Sequence, residues 1–187
     1  IYQQNTLPIR FGTLVLLACS GLMCPFVAVI AIQMRRIEGD KFPILTITQI
    51  STGSLNVMFF ILPSLIWTAA AFRPERDPNL TLLLNDLGWI AFLMPFTTFI
   101  VQNFALGFTI LGDKRPRPVF PRWLGFFNFW VAVLFIPGGL LTFFKIGPFA
   151  WNGLFVWWIP FLVFFTWYLL MFYMLRIAVI EQGKEAD

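Results

Sequence analysis

"LLNDLGWIAFLMPFTTFIVQNFALGFTIL", residues 83–111, decides the class of fold. Its one charged residue, Asp86, stands near its start. The apolar run that follows exceeds the roughly 20 residues a helix needs to cross a hydrocarbon core. A helix start precedes it: Asp77 can cap and Pro78 can occupy the first turn. That start predicts entry into the membrane near Trp89, with Asn85 and Asp86 held at the interface.

Four more stretches have the same character, at about 11–33, 47–72, 124–144 and 154–177. Each of the five carries a proline: Pro25, Pro63, Pro95, Pro137 and Pro160. The expected fold is an all-α integral membrane protein, a single transmembrane domain over residues 1–187. It is a bundle of five transmembrane helices with proline kinks and short loops. Composition agrees, since the 187 residues are 59% hydrophobic and only 12% charged, with a mean hydropathy of +0.80, against about 25% charged in a soluble domain. A chain of this length leaves no room beside the bundle for a soluble catalytic domain.

The 13 basic residues lie in the joints between apolar stretches, not in a stripe mixed with exposed aromatics, so no nucleic-acid site is read. Arg10, Arg73, Arg76 and Lys145 fall on one side of the bundle, and the remaining 9 on the other. The positive-inside rule then predicts an extracytoplasmic N-terminus and a cytoplasmic C-terminus, in a plasma or inner membrane. The basic loop "GDKRPRPVFPRW", residues 112–123, reads as a rigid turn and topology determinant on the cytoplasmic side. Trp67, Trp89, Trp123, Trp151 and Trp157 lie near span ends, as an aromatic belt requires. Asn79-Leu80-Thr81 matches a glycosylation sequon, but too close to the membrane for use to be expected. The chain begins at Ile1, and no basic n-region marks the first span as a signal peptide.

The absence of histidine excludes histidine-ligated haem, copper or di-iron centres and any Ser-His-Asp triad supplied by this chain. Cys19 and Cys24 would sit about 140° apart around a helix, which makes a disulfide between them implausible. No nucleophile-base pair, metal-ligand cluster or cofactor motif stands out. Catalysis is not expected, and no cofactor or metal is predicted.

Four groups of residues remain as candidate sites. Asn56, Thr98, Gln102, Asn103 and Asn128 fall at comparable depth in the second, third and fourth spans, a polar layer that serves as interhelical glue or lines a path. Asp86 and Lys145 are expected to approach at the outer rim, with Asn85 as the alternative partner. Pro137, Gly138 and Gly139 form a hinge in the fourth span, read as a tight kink before a broken-helix binding site. Ser20, Cys24 and Ala28, at intervals of four, form a small-residue seam for close helix packing.

The 24 phenylalanines, in clusters such as "FNFWVAVLF" and "FFTWYLLMFYM", put aromatics all round their helices. Some must face lipid or another chain, and a cavity for a lipophilic ligand is a further use for them. Expected partners are membrane lipids, other membrane subunits or a second copy, and a lipophilic ligand. The leading functional expectation is a non-catalytic accessory or structural subunit packing against a larger membrane complex. A binder or carrier of a lipophilic small molecule comes second, and a small channel or transporter third.

Overall fold

The computed structural model describes residues 2–40, 42–73 and 75–186, which leaves Lys41, one of the basic residues behind the predicted orientation, outside the described residues. Five helices are long and apolar enough to cross a membrane: α1 (Thr6–Glu38), α2 (Ile44–Phe72), α3 (Pro78–Gly112), α4 (Arg122–Thr142) and α5 (Leu154–Glu185). No strand occurs among the described residues. Most helix ends run past the apolar stretches because capping and chain propensity fix an end, whereas hydropathy sets only the middle. The Asp77 carboxylate accepts from the Asn79 N–H at 2.8 Å, with Pro78 in the first turn, as the sequence predicts. At the start of α2, Glu38 reaches across from the end of α1. Its carboxylate accepts from the N–H groups of Leu45 (3.1 Å) and Thr46 (2.9 Å) and from the Thr46 hydroxyl. Amides that a helix start leaves unpaired are thereby satisfied.

All five helices are irregular. α1 turns at Leu22, whose N–H bonds to the Cys19 carbonyl at 3.1 Å. Three residues on, Pro25 removes the donor that Gly21 would otherwise receive. α2 turns at Val57, before Pro63, and α3 at Met94 and Pro95. Beyond Phe135, α4 tightens into a 3-10 helix over Ile136–Thr142, and α5 opens with a wide π turn over Leu154–Trp158, just before Pro160.

Successive helices run antiparallel, and α5 returns beside α1, where Phe26 meets Trp167 and Tyr168 at 6.0 and 5.2 Å between ring centroids. α3 is central and packs against α2, α4 and the second half of α1. The best-buried core includes Ile30 and Met34 of α1, Phe99 and Leu106 of α3, Val131 of α4 and Trp167 of α5. All lie toward the end of the bundle that carries Glu38 and the last turns of α5. There Arg36 pairs with Glu185 at 2.6 Å and Gln33 donates to Gln182 at 2.8 Å.

Toward the other end, where Tyr2 lies, the bundle divides into two groups. Thr6–Gly21 packs on Met58–Phe72, which packs on Pro78–Leu93. Across from them, the 3-10 end of α4 packs on the π turn of α5. The groups meet chiefly through aromatic rings, and the space between them is the site described next.

Candidate functional site

The proline and glycines of α4 set one wall of this space. Gly138 and Gly139 let the Phe96 ring lie directly on the backbone, where a Cβ would stand 3.4 and 3.0 Å from its nearest ring atoms. Opposite, the π turn of α5 brings Val156 inward, leaving it 1% exposed, and sets Trp157 against Trp89 and Phe92 at 5.3 and 5.9 Å. Trp67 of α2 closes the third side, 5.1 Å from Trp89. The result is a chamber of about 330 Å³ walled by Phe59, Phe60 and Trp67 of α2, by Trp89, Phe92, Leu93 and Phe96 of α3, and by Phe135 and Gly138 of α4. α5 adds Val156, Trp157, Pro160, Phe161, Phe164 and Phe165, and α1 adds Leu16.

Apart from indole nitrogens the chamber has no polar side chain, and its size falls in the range of small-molecule pockets. Of the residues that line it, Phe161 and Phe165 of α5 are the exposed ones, at 38% and 52%. They stand beside further exposed apolar side chains of α5, among them Trp158, Leu162 and Leu169.

A second, shallower chamber of about 550 Å³ adjoins it at the Tyr2 end. Tyr2, Gln3, Thr81 and Asn85 supply polar groups to its wall, and Trp89 and Trp151 supply rings. Trp89 lines both chambers and packs on Trp151 at 4.9 Å. The Tyr2 hydroxyl donates to Asn85 Oδ1 at 2.9 Å. Burial pushes the Tyr2 phenol above its usual range, so it stays neutral, and no charged side chain lines this chamber.

Comparison with known protein families, curated proteins and solved structures finds no match to this chain. What the site can do must be argued from its own chemistry.

The predicted polar layer separates into two parts. Asn56 donates to Gln102 Oε1 at 2.6 Å and accepts from the Thr98 hydroxyl at 2.6 Å, which joins α2 to α3. Asn128 turns instead toward α5, accepting from Trp167 Nε1 at 2.9 Å and donating to the Leu124 carbonyl at 2.7 Å. Asn103 donates to its own helix at Phe99, and its buried Oδ1 finds no partner. Neither chamber includes any of these amides.

At the rim, the expected ion pair does not form. Asp86 and Lys145 are both exposed and unpaired, because Lys145 lies beyond the 3-10 segment on an irregular turn while Asp86 faces outward from α3. Asn85 pairs with Tyr2 instead. The Pro137-Gly138-Gly139 hinge is a change of helix type, not a kink in a continuous α-helix. The Ser20, Cys24 and Ala28 seam is interrupted by the turn at Leu22: Ser20 is buried and bonds to the Leu17 carbonyl, while Cys24 and Ala28 lie on the surface. Trp67, Trp89, Trp151 and Trp157, expected as an interfacial belt, form one connected cluster around the chambers.

Proposed function

We propose that this chain is a multi-pass membrane protein that binds a lipophilic small molecule drawn sideways from the bilayer. The observation that carries the reading is the aromatic chamber of about 330 Å³, whose lining includes the exposed apolar side chains Phe161 and Phe165 of α5. An apolar molecule taken from the bilayer gains little from leaving lipid, so the chamber holds it through close ring contacts on several sides. With the orientation set by the basic residues, the N-terminus is extracytoplasmic and the chamber lies in the outer half of the membrane. The subunit role that led the sequence reading rested on small size, short loops and helices apolar all round, features that fit a ligand binder equally well. A channel or transporter role rested on the amide layer, whose bonds join helices to one another and to their own backbones, and on Pro137-Gly138-Gly139, which lie in the 3-10 end of α4.

The test uses the purified chain in nanodiscs with bromododecane, whose bromine quenches tryptophan on contact. Trp67, Trp89 and Trp157 line the chamber and report occupancy. Saturable quenching that is weakened by Gly138→Leu, which fills the chamber, supports binding. Quenching that rises without saturation and is unchanged in the variant overturns it.

A further inference from the structure

The two chambers share a wall, and their chemistry differs in a way that selects a ligand. On one side of Trp89 the lining is aromatic and aliphatic. On the other, Asn85, Tyr2, Thr81 and Gln3 present hydroxyl and amide groups with no charge. Hydrogen-bonding capacity is left over there: the Tyr2 hydroxyl donates to Asn85 and can still accept, and the Asn85 amide can still donate. A hydrocarbon would use only the first chamber. An ionic head would meet no counter-charge in the second and would lose hydration without compensation.

We infer that the ligand is a single-tailed amphiphile with a neutral, hydroxyl-type head, its tail in the aromatic chamber and its head at Asn85 and Tyr2, with Trp89 packed against the junction. This rests on the binding role proposed above and adds the ligand's chemical class. The source is the bilayer, because the lining of the aromatic chamber reaches the exposed apolar side chains Phe161 and Phe165. Trp89 holds this junction through its contacts with Trp151 and Trp157 at 4.9 and 5.3 Å.

The test compares bromododecane, bromododecanol and bromododecyltrimethylammonium in nanodiscs at equal mole fraction, read by tryptophan quenching. Bromododecanol should bind about tenfold more tightly than bromododecane, the worth of one or two satisfied hydrogen bonds. The cationic probe should bind no better than the hydrocarbon. Asn85→Leu should remove the preference for the alcohol over bromododecane. Tyr2→Phe, which removes one hydroxyl, should reduce it in part. Equal affinity for alcohol and hydrocarbon, tightest binding of the cation, or a preference untouched by Asn85→Leu would each overturn the inference. If bromododecane binds saturably while the alcohol gains nothing, only the head-group assignment fails; if no probe binds saturably, the binding role itself fails.

Discussion

The indole nitrogen of Trp67 is buried against the bare α-carbon of Gly88, with no hydrogen-bond partner, at the seam where α2 meets α3. A Cβ at Gly88 would collide with the five-membered ring of Trp67. The contact fixes the ring that closes one side of the aromatic chamber, so the glycine sets the chamber's shape without lining it.

Gly88→Ala should therefore displace Trp67 and destabilise the bundle by about 1–3 kcal/mol, the usual cost of overpacking. Titration of the purified protein with sodium dodecyl sulfate would measure the loss. Adding Trp67→Phe removes the colliding ring, so the double variant should be more stable than Gly88→Ala alone. Simple additivity of the two losses would count against this contact as the cause.

The Asn56 bridge between α2 and α3 should respond to truncation on a smaller scale. Asn56→Leu removes the bonds to Gln102 and Thr98 and leaves the buried Gln102 Oε1 without its donor. Interhelical bonds in membrane proteins average about 0.6 kcal/mol each, so a loss of about 1–2 kcal/mol is expected. Thr98→Val should cost less, because the hydroxyl already divides its proton between Asn56 Oδ1 and the Pro95 carbonyl at 3.0 Å. A larger loss for Thr98→Val than for Asn56→Leu would contradict this geometry.

These two sites mark what the sequence makes legible. Residues 83–111 and their four counterparts announce five long helices because an apolar run of that length has few other uses. Asp77 and Pro78 identify one helix start because a cap acts on its immediate neighbours. Depth along a helix is also readable, and it places Asn56 near Gln102. Rotation about the axis is not: helices apolar all round give no face to orient, so the sequence does not reveal that Asn128 turns to Trp167. For the same reason a row of tryptophans near span ends reads as a belt, although four of them converge around one space. The Ser20 to Ala28 stripe assumed an unbroken helix, and the turn at Leu22 removes that premise. The Tyr2 to Asn85 bond spans 83 residues of sequence and has no local signature.

At the Glu38 end, the last turns of α5 are held by Arg36, and the two sides of that ion pair should behave unequally. Glu185 is 65% exposed, so Glu185→Ala should cost less than about 1 kcal/mol, with the effect fading in high salt. Arg36 also donates to Gln33 Oε1 at 2.6 Å and to the Ala178 carbonyl at 3.5 Å. Arg36→Ala should therefore cost more and retain most of its effect in salt. Equal losses at both positions, measured by the same detergent titration, would place the whole contribution in the ion pair.

The loop between α3 and α4 should loosen in acid through Asp113, whose side chain is 1% exposed. Burial pushes its carboxyl up, but hydrogen bonds from the Arg115 side chain and from the N–H groups of Val119 and Arg115, with the Arg115 charge, outweigh that and hold it below the ordinary carboxylate value of 3.8. A value lowered in the folded state means that the unfolded chain binds the proton first. The stabilisation is thus complete well above pH 3.8, begins to fade as the pH falls through that region, and is gone once the pH passes below the folded value. Arg115 is 34% exposed and its contribution is screened, so most of the effect should come from the two backbone donors. Hydrogen exchange at the Val119 amide is the measurement. Protection, corrected for the intrinsic exchange rate, should be flat from pH 7 to pH 5 and drop below about pH 4. Asp113→Asn should lose about tenfold of that protection at pH 7 and show no acid step, since a neutral amide replaces the carboxylate at every pH. An acid step that survives in Asp113→Asn would assign the transition to another group.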